Sequence, residues 1–357
     1  PASHLASRAE KQAQYAFYPK TMSNNFYVMA IGRSGTTLLA NILDAHPNIV
    51  VPPESFFVLH LERKYKYITH WDSKTIKNFI DDVYVDRPFR LMWKVPREIV
   101  EQSFEQRPKV KDFTEACNRI RASYNASFKT KDIELFGDKH PIYSNFCQRM
   151  MRVNPKAKLI HMVRDPRGTG SGQINTFKRK DALAVGYLWA RYNRNLANLK
   201  AKYPKNYYLL KYEDLVLKPE ETVRSLCVFL EIEFREQMME YRKTMVERFE
   251  NYTEAITKKH ESLMKPIDAR MVEGWKKKLS SQQIHQLEYA TFEVASQLGY
   301  NFKKPEVSFF TKLKFPFSKL KVKFILGIIT LFFNFPFAFR KVVLSVKSMA
   351  LDHNYRN

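Results

Sequence analysis

Cysteine is scarce in this chain. Three stand among 357 residues, Cys117, Cys147 and Cys227, with no CxxC pair and no histidine beside them at metal-ligand spacing. So odd and scattered a set argues against a disulfide framework and a structural zinc site, and it fits a reducing, cytoplasmic compartment. There is no internal repeat or low-complexity linker, and no cluster of His, Asp and Glu marks a metal site. The opening PASHLASRAEKQAQ is polar, lacks the apolar run of a secretory leader and does not begin with Met. Acidic residues are also short: 36 against 60 Lys and Arg, a net charge of +24. A surface of that sign attracts anions, whether nucleic acid, acidic lipid head groups, polyanionic glycans or phosphorylated cofactors, and composition does not choose among them.

What is present supports a sizeable core. Apolar residues make up 45% of the chain, and its length suits one large domain or two modest ones. Residues 26–31, FYVMAI, form an apolar run closed by Gly32, which predicts a buried strand. A helix follows over 37–45, with Leu38, Leu39, Ile42 and Leu43 on one face, and it stops at His46-Pro47 because the residue before proline avoids the helical region. Further strands are expected at 135–137, 159–163 (LIHMV) and 207–210, and helices at 182–203, 220–230 and 282–298. RDPRGTGSG, from Arg164, breaks the third strand and reads as a loop. Residues 56–86 mix aromatic and basic side chains and predict helices over a sheet edge, although 56–130 as a whole match no recognisable pattern. Strands alternating with helices predict a parallel sheet covered on both faces.

The stretch AIGRSGTTLL places Gly32, Arg33, Ser34, Gly35, Thr36 and Thr37 at a strand-to-helix turn. Such a turn offers unpaired backbone N–H groups and the positive end of a helix dipole. Glycine allows close approach of the backbone, threonines add hydroxyl donors, and arginine adds a charged fork. The site suits a phosphate. A Walker A loop, GxxxxGK[ST], would put lysine where Thr36 stands, so a nucleoside triphosphate with Mg²⁺ is a poor fit.

GRSGTTLLANILDAHP resembles the 5′-phosphosulfate loop of sulfotransferases that use 3′-phosphoadenosine-5′-phosphosulfate (PAPS) as co-substrate, in particular the tyrosylprotein-sulfotransferase-like and bacterial branch. The resemblance implies a P-loop-NTPase-like central parallel sheet flanked by helices, and chemistry without a metal. It also implies a second anchor, a strand ending in arginine that binds the 3′-phosphate, with a serine eight residues later. HMVRDPRGTGSGQ supplies Arg164, but Gly172 stands where the serine is expected and Ser171 comes one earlier, so either Ser171 or a backbone N–H would complete the anchor. LLKYEDLVLKPEETVRSLCVFLEI resembles the family's downstream strand–turn–helix and would bring Tyr212 near the nucleotide. ARMVEGWKKKLS resembles a late basic segment from which Arg270, or one of Lys276–Lys278, would reach a phosphate. The resemblance covers roughly 24–300. For catalysis it implies Glu54 in VPPESFF as the base on the acceptor hydroxyl. Lys139 in FGDKHPIYS would support the leaving group, with Arg33 sharing the sulfonate. His140 follows directly and rivals Glu54, because small-molecule sulfotransferases use a histidine base.

The last fifty residues differ in character. From 301 to 357 there are eleven basic residues and two acidic ones. Five lysines lead into FILGIITLFFNFPFAF, residues 324–339, which is shorter than the ~20 residues a spanning helix needs and contains Asn334 and Pro336. Basic flanks and aromatic content predict a segment lying in an anionic membrane interface. The expected organisation is a polar extension over 1–24, a sulfotransferase domain over 25–305 and a basic, aromatic C-terminal segment over 306–357. The expected activity is sulfonate transfer to an acceptor hydroxyl, at a membrane surface if the acceptor is a lipid, sterol or glycan, with no nucleic acid as partner. The alternatives are a metal-dependent P-loop kinase and a non-catalytic polyanion- or membrane-binding protein.

Overall fold

The computed structural model describes residues 24–105, 109–128, 132–243 and 267–353. The expected N-terminal extension lies outside these, save for its last residue. Five parallel strands form one sheet: β1 (Asn25–Met29), β2 (Ile49–Val50), β3 (Leu135–Lys139), β4 (Lys158–Val163) and β5 (Tyr207–Lys211), in the order β2-β3-β1-β4-β5. The longer helices are α1 (Thr36–Asp44), α2 (Phe57–Tyr65), α3 (Ser73–Val83), α4 (Arg97–Glu105), α5 (Phe113–Phe128), α6 (Cys147–Val153), α7 (Pro166–Thr176), α8 (Ala182–Ala197), α9 (Pro219–Leu230), α10 (Ser281–Gln297), α11 (Phe309–Asn334) and α12 (Phe337–His353).

All of β1 is buried, and its side chains alternate between two cores. Phe26, Val28 and Ala30 join Leu39, Ile42, Ile160 and Met162, whereas Tyr27 and Met29 join Phe57, Phe79, Phe136 and Leu159. A strand covered on both faces needs a continuous apolar run, as FYVMAI provides. Replacing Phe26 by alanine would cost about 3–5 kcal/mol through transfer and cavity terms. The register pairs Val28 with Lys139 and Met29 with His161. The C-terminal ends of β1, β3 and β4 thus fall within three residues of one another, and the segments leaving them share one edge. Because β1 lies between β3 and β4, this edge is a topological switch point, where open parallel sheets bind ligands.

Two elements differ from expectation. β3 runs on to Lys139 instead of ending at Gly137. Its Asp138 pairs with Arg121 at 2.6 Å and accepts from Tyr143 Oη at 3.1 Å, so a charged residue continues the strand without an orphaned charge. RDPRGTGSG is not a loop: it opens α7. Asp165 caps this helix by accepting from Arg167 N, and Pro166 takes the first position, where its missing N–H costs nothing. The glycines fit close neighbours. A Cβ at Gly168 would lie 2.8 Å from Arg164 Nε, at Gly170 2.5 Å from Leu287 Cδ1, and at Gly172 2.8 Å from Arg33 Cβ.

Candidate active site

The first loop links β1 to α1. Arg33 (φ 75°) and Gly35 (φ 93°) both adopt the left-handed region. Gly35 caps α1 without a side-chain hydrogen bond, and a Cβ there would sit 2.4 Å from the Tyr212 ring, so this position takes only glycine. Ser34 Oγ is buried without a hydrogen-bond partner among the described residues. Gln173 Nε2, from α7, donates to Gly32 O at 2.5 Å and ties the loop to the helix after β4.

Arg164 follows β4 directly and turns towards this loop. Its Nη1 donates to Arg33 O at 3.4 Å, its Nη2 donates to Met271 O at 2.9 Å, and its guanidinium stacks on the Tyr212 ring at 4.1 Å from the centroid. Arg164 Nε is a second buried donor with no partner among the described residues. Tyr212 therefore lies against both Gly35 and Arg164. Burial lowers the Arg33 pKa, and the neighbouring Arg164 charge lowers it further; burial raises the Tyr212 pKa, with the Arg164 charge opposing. Two guanidiniums and an uncapped helix N-terminus converge on one side of the sheet edge, an arrangement that favours an anion.

On the other side of the loop, Lys139 Nζ lies 2.5 Å from Glu54 Oε1 and 3.4 Å from Thr37 Oγ1. Glu54 follows two prolines, and Asp86 accepts from Phe56 N at 2.6 Å, which fixes the turn into α2. His140 Nε2 is 4.0 Å from Glu54 Oε2. Its Nδ1 accepts from Ile142 N at 3.1 Å, and burial lowers its pKa, an effect that Glu54 opposes. The ring is therefore neutral and carries its proton on Nε2, towards Glu54.

The structure thus brings together Gly32, Arg33, Ser34, Gly35, Thr36, Thr37, Glu54, Lys139, His140, Arg164 and Tyr212. It does not bring in Arg270, whose exposed guanidinium pairs with Asp268 at 2.9 Å; this segment reaches the site through the Met271 carbonyl instead. Ser171 is buried in α7 with Oγ 3.4 Å from Asn175 Nδ2, and no hydrogen bond joins it to Arg164 or to the first loop among the described residues. Gln173 was missed by the sequence reading. The Asp165-Pro166 helix start would have revealed it, by placing residue 173 on a helix instead of in a loop. Among the described residues, no three His, Cys, Asp or Glu side chains gather at metal-binding distances.

Residues 26–236 match the model of the Sulfotransferase family, more than half of the chain, and the chain belongs to that family. Among curated proteins it is similar to a protein-tyrosine sulfotransferase of Drosophila melanogaster, 20% identical over 256 residues, covering 70% of this chain and 46% of that protein. It is also similar to a Caenorhabditis briggsae protein named "Putative protein-tyrosine sulfotransferase", 23% identical over 234 residues, covering 62% of this chain and 72% of that one. The chain thus spans less than half of the Drosophila protein. Among solved structures, the sulfotransferase domain of the Synechococcus PCC 7002 olefin synthase superposes with a TM-score of 0.53 at 19% identity, covering 79% of this chain and 96% of that domain. The sulfotransferase domain from the curacin biosynthetic pathway gives 0.50 at 18% identity, covering 79% and 99%. At these identities the structures share the fold, a parallel sheet flanked by helices.

Proposed function

We propose that this sulfotransferase moves the sulfonate of PAPS onto an acceptor hydroxyl. The observation that carries the reading is Arg164, stacked on the Tyr212 ring and donating to the backbone carbonyl of Arg33, 131 positions earlier. The residues fit a doubly anionic adenosine: Ser34 Oγ and Arg164 Nε are buried donors without partners among the described residues, and Gly35 lets the loop pack against the Tyr212 ring on which Arg164 stacks. Ser34, Gly35, Thr36 and Thr37 would hold the 5′-phosphosulfate with Arg33. Arg164 would hold the 3′-phosphate, with a backbone N–H of α7 or Ser171 completing the contact.

When bound, PAPS supplies an activated sulfonate on a phosphate leaving group. Glu54 acts as general base: it takes the acceptor proton as the acceptor oxygen bonds to sulfur and the bond from sulfur to phosphate oxygen breaks. Lys139, 2.5 Å from Glu54, stabilises the charge that develops on the departing oxygen. His140 is unsuited to the base role, because its Nδ1 is occupied by Ile142 N and its Nε2 already bears the proton. Next to Glu54 the wall is aromatic: Phe56 lies 4.2 Å from the His140 ring and 5.9 Å from His60, which stacks on Phe333 at 4.9 Å. That wall suits a hydroxyl carried on an apolar body. A tyrosine, the acceptor named for two relatives, and a lipid or sterol alcohol share this chemistry.

The test is transfer of radiolabelled sulfonate from PAPS into separate lipid, glycan and peptide pools. Label should enter one pool, and Glu54→Gln and Lys139→Ala should each reduce transfer by about 10²–10⁴-fold while the fold stays intact. Full turnover in both variants would remove the catalytic assignment.

A further inference from the structure

Helix α11 has two apolar faces. One docks on the domain through Thr311, Ser318, Val322, Leu326 and Phe333, all buried. The other faces solvent: Phe310, Leu313, Phe317, Leu320, Phe324 and Ile328 recur at three- and four-residue spacing. Phe310 is 79%, Phe317 67% and Phe324 68% exposed. The stripe continues past the helix end, because Phe335 packs on Phe339 of α12 with ring centroids 5.0 Å apart. An apolar band of this length on a monomer's surface marks an interaction site.

Charge identifies the partner. Lysines line both borders between the two faces: Lys314 and Lys321 on one, Lys312, Lys319 and Lys323 on the other. No Asp or Glu occurs between Glu306 and Asp352. Beside the second border lies a cavity of about 310 Å³ whose lining includes Arg194, Lys304 and Lys319 among the rings of Tyr187, Tyr289 and Phe315. Glu293 also lines it and pairs with Arg194 at 3.6 Å. Two copies meeting through the stripe would set lysine against lysine. An anionic lipid surface offers acyl chains to the stripe and phosphates to its borders. No single described helix is long and apolar enough to cross a membrane; α11 with the start of α12 reaches that length and composition only as a pair bent by 111°. Both are also clasped to α2, by Arg63 Nη1 to Asn334 O at 2.6 Å and by Arg340 Nη2 to His60 O at 2.7 Å.

We propose that the exposed face of α11, continued by the start of α12, seats the protein flat on an anionic phospholipid surface. The inference is independent of the transfer chemistry. It is tested by co-sedimentation of the full chain with vesicles of phosphatidylcholine alone and of phosphatidylcholine mixed with phosphatidylglycerol. Binding should favour the mixed vesicles and weaken with salt. It should fall about fivefold for each of Lys312, Lys314, Lys321 and Lys323 replaced by glutamine. The pair Phe317→Glu with Phe324→Glu should abolish it, with melting temperature and affinity for adenosine 3′,5′-bisphosphate unchanged. Equal binding by this pair and the wild type would overturn the proposal. So would a wild-type dimer in sedimentation velocity that the same pair dissociates, with no vesicle binding.

Discussion

Truncating Arg164 to alanine tests the nucleotide site most sharply, because the ligand can be truncated in parallel. A charge-assisted hydrogen bond contributes about 1.5–3 kcal/mol, so a bidentate contact to a 3′-phosphate would gross about 3–6 kcal/mol. The free protein already uses part of that capacity. Arg164 donates to Met271 O at 2.9 Å and weakly to Arg33 O at 3.4 Å, and the first of these must be exchanged when a phosphate binds. In the other direction, an anion relieves the repulsion between Arg164 and the half-buried Arg33. The expected net loss is about 3 kcal/mol, or roughly 150-fold in Kd. Calorimetry would compare adenosine 3′,5′-bisphosphate with adenosine 5′-monophosphate on the wild type and on Arg164→Ala. The bisphosphate should lose the full factor, and the monophosphate, which has nothing for Arg164 to hold, should change by less than about threefold. If the two ligands weaken equally, Arg164 supports the loop without reading the 3′-phosphate; if neither weakens, the site is elsewhere.

Two further outcomes follow from single contacts. Restoring the serine that the family resemblance expects, by Gly172→Ser, should reduce nucleotide affinity rather than raise it, because the new Cβ would meet Arg33 Cβ at 2.8 Å; tighter binding in the same calorimetric assay would refute this packing. Burial, then the Arg340 and Arg149 charges, hold the His60 pKa down to about 3, so its contribution to stability is present above pH 6.5 and is lost as pH falls from 6.5 towards 3. Between pH 7 and pH 4.5 the wild type should therefore lose about 2–3 kcal/mol more than His60→Gln in denaturant titrations, and parallel losses would contradict the assignment. The comparison must be between variants, since buried Asp86, raised to about 7, works in the opposite sense and loses its contribution as pH rises from 3.8 through 7.

The parts legible in the sequence were those where one physical requirement dominates. A strand buried on both faces must be apolar throughout, so β1 and β4 stood out, and an anion loop must combine glycine with donors at a strand end. Where two requirements compete, the local reading failed. Gly168, Gly170 and Gly172 look like a flexible loop, yet each yields space to a side chain from elsewhere in the chain, and their helix is held by its cap and by packing. Asp138 looks like a strand end because its partner Arg121 lies 17 positions away. Residues 56–130 do carry helical spacing, as in Ile76, Phe79, Ile80 and Val83, but nothing local names the partner of each ring, as in Phe57 against Phe89 and Trp93 or Phe79 against Trp71 and Phe113. The C-terminal lysines read as a lead-in to an apolar segment, but they lie on the same helix as its first half. Pro316 sits inside that helix, and the chain turns only at Phe335, extended before Pro336.

The site itself is assembled against the preferences of the fold. A non-glycine residue at φ 75° costs on the order of 1 kcal/mol or more. Two buried donors without partners cost about 1–3 kcal/mol each, and two guanidiniums held against one loop repel. Nothing in the surrounding core requires these features, since β1 and α1 could be joined by a turn with satisfied caps. Several buried charges elsewhere are matched, as in Arg121 with Asp138 and Arg167 with Asp165 and Glu288, whereas buried Arg340 is held by the His60 ring and the carbonyls of His60 and Phe335. Uncompensated positive charge gathers at the edge where β1 and β4 end, and Glu54, paired there with Lys139, stands beside the aromatic wall. A single anion with a phosphate at each end of an adenosine would satisfy both buried donors and both guanidiniums at once. For that reason the cost is read as preparation for a ligand, and the ligand as a doubly charged nucleotide.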